Sequence, residues 1–167
     1  GRAVVSRAHR SRSGSPGPAA GRGRSSAGRA RGRLPRGATR PSRLPLVAVV
    51  DDEPDVRRAL QRLLRSAGFA VATYASGADF LDDYAGHAPD CVLLDLHMPG
   101  CNGFEVQAEL ARIGAQVPIV MITGNDAAGA RNQAMANGAA AYLCKPMDAS
   151  ELLAVVSRAV GGAGSPA

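Results

Sequence analysis

Four apolar runs in this sequence each lead into a residue that could do chemistry. Leu46-Val47-Ala48-Val49-Val50 runs into Asp51-Asp52-Glu53, and Cys91-Val92-Leu93-Leu94 runs into Asp95. Pro118-Ile119-Val120-Met121-Ile122 runs into Thr123, and Ala140-Ala141-Tyr142-Leu143 into Cys144-Lys145-Pro146. Apolar runs this short, bounded by turn residues, read as buried strands ending in loops. The C-terminal ends of parallel strands form the edge where open α/β sheets place their ligands. Asp51, Asp52, Asp95, Thr123 and Lys145 are therefore expected to share one edge. Lys145 is the only lysine of the chain, all other long basic side chains being Arg. A compact ammonium in a protein otherwise built with guanidinium groups suits a point contact with a phosphoryl oxygen.

Three carboxylates facing one ammonium leave a local excess of negative charge, which is costly at low dielectric. A divalent cation would cancel it. An all-oxygen ligand set with room for water favours Mg²⁺, or Mn²⁺ in its place, over zinc. No His/Cys cluster has zinc spacing. The chemistry that suits the set is phosphoryl transfer to a carboxylate, with Asp95 as acceptor and Thr123 and Lys145 on the remaining phosphoryl oxygens. Each motif alone has a plainer reading. Acids favour a helix N-terminus, a threonine after a strand can be a loop residue, and Lys-Pro can be a solvated turn. Convergence on one edge is what sets those readings aside.

The elements that position these groups follow in order. The strand at 46–50 leads to a helix opened by Pro54, with Val56, Leu60, Leu63, Leu64 and Ala67 on one face and Gly68 as its stop. Phe69 to Tyr74 reads as a second strand. Ser76 caps a short helix carrying Phe80, Leu81 and Tyr84, with Asp79, Asp82 and Asp83 exposed. After the strand at 91–95, Gly103 opens a third helix with an inner stripe of Phe104, Ala108 and Ala111, stopped by Gly114. The strand at 118–122 precedes a weakly patterned helix over about 127–137, ending at Gly138. The strand at 140–143 precedes a last helix, capped by Asp148 or Ser150, with Leu152, Leu153, Val156 and Val160 inward. Five strands alternating with five helices build a flavodoxin-like (βα)5 doubly wound parallel sheet, order 2-1-3-4-5. In that order the strands ending in Asp51-Asp52 and in Asp95 are neighbours at the switch point.

The net charge of +6 over 167 residues hides two unlike parts. Residues 1–45 hold twelve Arg and no acid, whereas residues 46–167 carry an acidic excess. Residues 1–43 are expected to be a disordered Arg/Gly/Ser/Pro-rich tail, 44–161 the folded domain and 162–167 a short C-terminal tail. The tail reads as a solvated arm or as a basic arm for nucleic acid, although it holds no aromatic residue for base stacking. Its glycines and prolines argue against a transit helix. Three cysteines without paired spacing fit a reducing, cytoplasmic setting, and no stretch has the length of a membrane span.

Val49-Val50-Asp51-Asp52-Glu53, Leu94-Asp95-Leu96-His97-Met98-Pro99-Gly100, Ile122-Thr123-Gly124 and Lys145-Pro146 together resemble the receiver domain of bacterial two-component response regulators. The resemblance covers residues 44–161. Ile122-Thr123-Gly124 and Asp148-Ala149-Ser150-Glu151-Leu152-Leu153 are most similar to receivers of the nitrogen-fixation regulator type. It implies that Asp95 takes a phosphoryl group from a histidine kinase. It implies Mg²⁺ held by Asp52 directly, Asp51 largely through water, Asp95, and the backbone carbonyl of His97, whose side chain is not read as a ligand. Thr123 and Lys145 would contact the phosphoryl group. Tyr142 would act as the switch aromatic, turning inward as Thr123 moves and remodelling the surface of helix four, strand five and helix five. A homodimer through that surface, or a downstream protein target, would follow activation. His97 and Asn125 flank the site at the family's variable positions. Receivers of this subtype usually precede a helix-turn-helix DNA-binding domain; none is expected within these residues, which leaves either a stand-alone receiver acting through protein contacts or an output domain that has been cut away. The protein is then expected not to be an enzyme beyond transfer to and loss from its own carboxylate. Two other functions compete: a nucleic-acid-binding protein driven by the basic tail with the folded part as scaffold, and a small phosphohydrolase on the same fold. Hydrolases of that kind commonly place a second Asp two residues after the nucleophile, where this chain has His97.

Overall fold

Five β-strands lie in one sheet, every pair parallel, in the order β2-β1-β3-β4-β5. The computed structural model describes residues 43–162. The expectations for the basic tail, save Arg43, and for residues 163–167 fall outside the described residues. The strands are β1 Leu46–Val50, β2 Ala70–Tyr74, β3 Cys91–Asp95, β4 Ile119–Thr123 and β5 Ala141–Cys144. The helices are α1 Pro54–Ser66, α2 Gly77–Tyr84, α3 Gly103–Arg112, α4 Ala130–Ala136 and α5 Ala149–Gly162. Strand and helix ends depart from the expected ones by a residue or so, except that α4 begins later, after the left-handed Gly129.

Side chains alternate along each strand, and each face has its own core. Ala48, Val50, Val92, Leu94 and Met121 face Phe80 of α2, Val106 and Leu110 of α3, and Ala130 and Ala134 of α4. Val47, Val49, Leu93, Val120 and Ile122 face Leu60 and Leu64 of α1 and Leu152, Val155 and Val156 of α5. β3 is buried along its whole length, as a central strand covered on both faces must be. The register sets Val50 opposite Leu94 and Asp95 opposite Ile122, so the ends of β1, β3 and β4 finish level.

Caps explain where the helices start. Ser76 accepts the Asp79 amide, and Asp148 rather than Ser150 accepts the Glu151 amide before α5. Asn102 and Glu105 form a reciprocal capping box at the start of α3. Positive-φ Gly68, Gly114 and Gly138 follow α1, α3 and α4.

Two expectations are corrected. The inner stripe of α3 is Gly103, Val106, Gln107 and Leu110, while Ala108 and Ala111 are exposed. Alanine methyls suit either environment, so the larger Val106 and Leu110, four apart, decide which face turns inward. Asp83 is half-buried, not simply solvated. It accepts the Tyr74 hydroxyl at 2.7 Å and lies 2.8 Å from His87 Nδ1. Those two contacts lower the Asp83 carboxyl, and burial with the Asp83 bond pushes the Tyr74 phenol up to about 12. No helix among the described residues is long and apolar enough to cross a membrane.

Candidate functional site

The sheet brings Asp51, Asp52 and Asp95 together, with one carboxylate oxygen from each lying within 4.8 Å of the others. Asp51 and Asp95 are buried, and Asp52 is half-buried. The positions are fixed by backbone. The Asp51 amide donates to the Tyr74 carbonyl at 3.1 Å, and its own carbonyl accepts the Arg57 guanidinium at 2.6 Å. One Asp51 carboxylate oxygen accepts the Glu53 amide at 2.9 Å, and the other accepts Lys145 Nζ at 2.8 Å. The His97 amide points at Asp95 Oδ1 from 3.4 Å.

Lys145 closes the group from the end of β5, after which the Lys145–Pro146 peptide is cis. Its ammonium stands 3.8 Å from Asp95 Oδ1 and 3.6 Å from Glu53 Oε1, so Asp51 is its nearest partner. Burial disfavours the ammonium, yet the Asp51 hydrogen bond and the charges of Asp51, Asp95 and Glu53 raise the Lys145 pKa overall. Burial first, and then the Asp51 charge, raise the Asp95 carboxyl to about 6, with Lys145 offsetting part of the rise. The donor set is oxygen alone and strongly anionic, which fits a hard divalent cation such as Mg²⁺.

Thr123 is fully buried, and its hydroxyl is engaged by its own loop. It donates to the Asn125 carbonyl at 2.8 Å and accepts the Asn125 amide at 3.1 Å. His97 Nε2 reaches the same carbonyl at 3.3 Å, so the imidazole spans the mouth of the site rather than entering the carboxylate group. Tyr142 is buried against α4. Its hydroxyl donates to Asp126 Oδ1 at 3.0 Å, and the Arg131 guanidinium lies 5.8 Å from the ring centre. Burial, followed by the Asp126 bond, pushes this phenol up to about 12. Tyr142 is thus already buried, with its hydroxyl tied to the loop after β4.

Three further residues take part that the sequence pattern does not single out. Glu53 pairs with Lys145, and its place beside Asp51-Asp52 was the available signal. Asp126 holds Tyr142, for which no spacing rule exists. Gly103 must lack a side chain. A Cβ there would stand 2.8 Å from the Asp95 carbonyl oxygen and 2.9 Å from Leu96 Cα and Met121 Sδ.

A doubly wound parallel sheet of this order, with acids at its switch point and a lysine from its edge strand, defines a flavodoxin-like domain with an anionic pocket at the carboxyl ends of its strands. Comparison with known proteins narrows the class. Residues 47–157 match the response regulator receiver domain. The chain is 37% identical over 120 residues to nodulation protein W of Bradyrhizobium diazoefficiens, covering 72% of this chain and 53% of that protein. It is 38% identical over 121 residues to the transcriptional regulatory protein FixJ of Azorhizobium caulinodans, covering 72% and 57%. A response regulator receiver protein from Burkholderia phymatum superposes with a TM-score of 0.64 at 49% identity, over 70% of this chain and 95% of that one. The crystal structure of FixJ-N superposes with a TM-score of 0.68 at 28% identity, over 75% and 99%. The chain belongs to the response regulator receiver domain family, the receivers of two-component phosphorelay signalling. It spans little more than half the length of the two curated relatives named above.

Proposed function

We propose that Asp95 is the phosphoryl acceptor of a phosphorylation-driven switch, with a histidine kinase as donor. The observation that carries this reading is the buried Asp95 carboxylate set beside Asp51, Asp52 and the chain's single lysine. In the reaction a P–O bond forms at Asp95 as the P–N bond to the kinase imidazole breaks, and the leaving imidazole takes a proton from solvent. In-line attack needs little beyond positioning and charge neutralisation. Asp51, Asp52, Asp95 and the His97 backbone carbonyl would hold Mg²⁺, or Mn²⁺ in its place, and when bound it would neutralise charge on the phosphoryl oxygens. Lys145 exchanges part of its contact with Asp51 for a phosphoryl oxygen, and the Thr123 hydroxyl leaves the Asn125 carbonyl for another.

That second exchange is what carries the signal. Freeing the Asn125 carbonyl loosens the loop that also supplies Asp126, the partner of Tyr142. The surface of α4, β5 and α5 then repacks, a shift between two populations. This surface serves a homodimer or a downstream protein target. The protein turns over no separate substrate: it gains and loses one phosphoryl group on its own carboxylate. Residues 44–161 act as the receiver, with residues 1–43 as an appendage to it.

The test is intact mass after incubation with acetyl phosphate, with and without Mg²⁺, for wild type and Asp95→Asn. One added phosphoryl group is expected, dependent on both the metal and Asp95. Equal labelling of Asp95→Asn refutes the assignment.

A further inference from the structure

Among the described residues four polar side chains are buried: Asp51, Asp95, Thr123 and Gln107. The first three belong to the acidic site. Gln107 sits on the inner face of α3, only 2% exposed, between Val106 and Leu110 of the core. Its Nε2 donates to the Ala134 carbonyl of α4 at 3.0 Å. Its Oε1 has no hydrogen-bond partner. The opposite amide orientation would set Oε1 against the Ala134 oxygen, acceptor against acceptor, so the carbonyl fixes which end faces it. With one end orphaned, what this buried amide contributes rests on its single bond to the Ala134 carbonyl.

The helix on the other end of that bond is weakly held. α4 has seven residues, of which only Ala130 and Ala134 are buried. It starts at Gly129 with no side-chain cap. So short a helix has no independent stability, and two methyl groups bury little apolar area. Its N-terminal side is tied through the Thr123–Asn125 and Asp126–Tyr142 loop bonds. Toward its C-terminal end, Gln107 is the side chain that reaches it from α3, at a carbonyl that also accepts the Ala139 amide at 3.0 Å.

We infer that Gln107 is a positioning residue that latches α4 against α3 and so sets how readily the domain leaves its resting arrangement. The inference rests on the phosphoryl-switch reading for what drives α4, but not for the latch itself. Losing one such bond from the resting state alone shifts the two-state balance by about two- to tenfold.

The experiment uses the full chain and Gln107→Met, which keeps the length and removes both the donor and the orphaned acceptor. In Mg²⁺-free protein, amides of α4 should exchange with deuterium about two- to tenfold faster, with α1 and α5 unchanged. Titration with Mg²⁺ and beryllofluoride, a phosphoryl mimic, should reach its midpoint at a concentration about two- to tenfold lower. In wild type, the Gln107 side-chain amide resonances should move as beryllofluoride binds. Unchanged α4 exchange, or faster exchange spread evenly over the molecule, overturns the latch. If Gln107→Met does not fold, the wild-type resonances decide, and their staying fixed while α4 amides shift overturns it. A wild type that takes up no beryllofluoride refutes the phosphoryl reading and the switching half of the inference. The exchange measurement still decides the latch.

Discussion

Asp95 is held in a place that resists its charge. Its carboxyl is raised from 3.8 to about 6 by burial and by Asp51. The folded protein therefore binds this proton more tightly than the unfolded chain between about pH 4 and 6, and metal-free stability should fall as pH rises through that window. Above it the full penalty applies, on the order of 2 kcal/mol once solvent at the open side is allowed for. Asp95→Asn should thus be more stable than wild type at pH 7 without metal, by about that amount, and the gap should close at pH 4. Mg²⁺ should raise the wild-type unfolding midpoint far more than that of the variant. Urea unfolding at the two pH values, with and without metal, checks all of this. At this scale the acids, Thr123 and Lys145 were legible because each follows an apolar run, and a strand end is a place sequence can name. The partners were not. Whether Lys145 leans on Asp51 or Asp95, or Tyr142 on Asp126, depends on ångström-level loop paths that no spacing rule encodes.

Among the elements, α3 shows where pattern reading succeeds and where it fails. Its limits were legible from Gly103 and Gly114, but its face was not. An amide at position 107 reads as solvent-facing, and Ala108 and Ala111 suit either side, so Phe104 sets an expected stripe rotated away from Val106 and Leu110. The start of α3 also bears on the site. With Gly103 packed on the Asp95 carbonyl, Gly103→Ala has to push β3 and α3 apart. It should cost about 1–3 kcal/mol in urea unfolding and lower Mg²⁺ affinity with it, because the backbone that carries the carboxylate moves. A loss of stability with metal affinity intact would show that the strain is absorbed elsewhere. α4 was the least legible helix because it has almost no apolar face to announce it, burying only Ala130 and Ala134.

At the scale of the whole molecule, strand order came through because alternating β and α runs of these lengths leave few right-handed arrangements open. That order alone puts Asp51 beside Asp95, some forty residues apart in sequence. Twelve arginines precede residue 46, where the first strand begins. Deleting residues 1–42 should leave uptake of the phosphoryl group from acetyl phosphate unchanged, by intact mass. If the shortened chain were not phosphorylated, the basic segment would have to be counted as part of the receiver.

A chain with one lysine carries a single ε-amine, and here that amine is in the middle of the site. Acylating reagents directed at amines have only this side chain and the α-amino group to attack. The Lys145 side chain is 17% exposed and paired with Asp51, so acylation should be slow at neutral pH and quicken when its partners are removed. Beryllofluoride and Mg²⁺ should slow it again by occupying the pocket. The extent of modification at Lys145, read as the mass of one peptide, then reports the occupancy of the pocket without any engineered label.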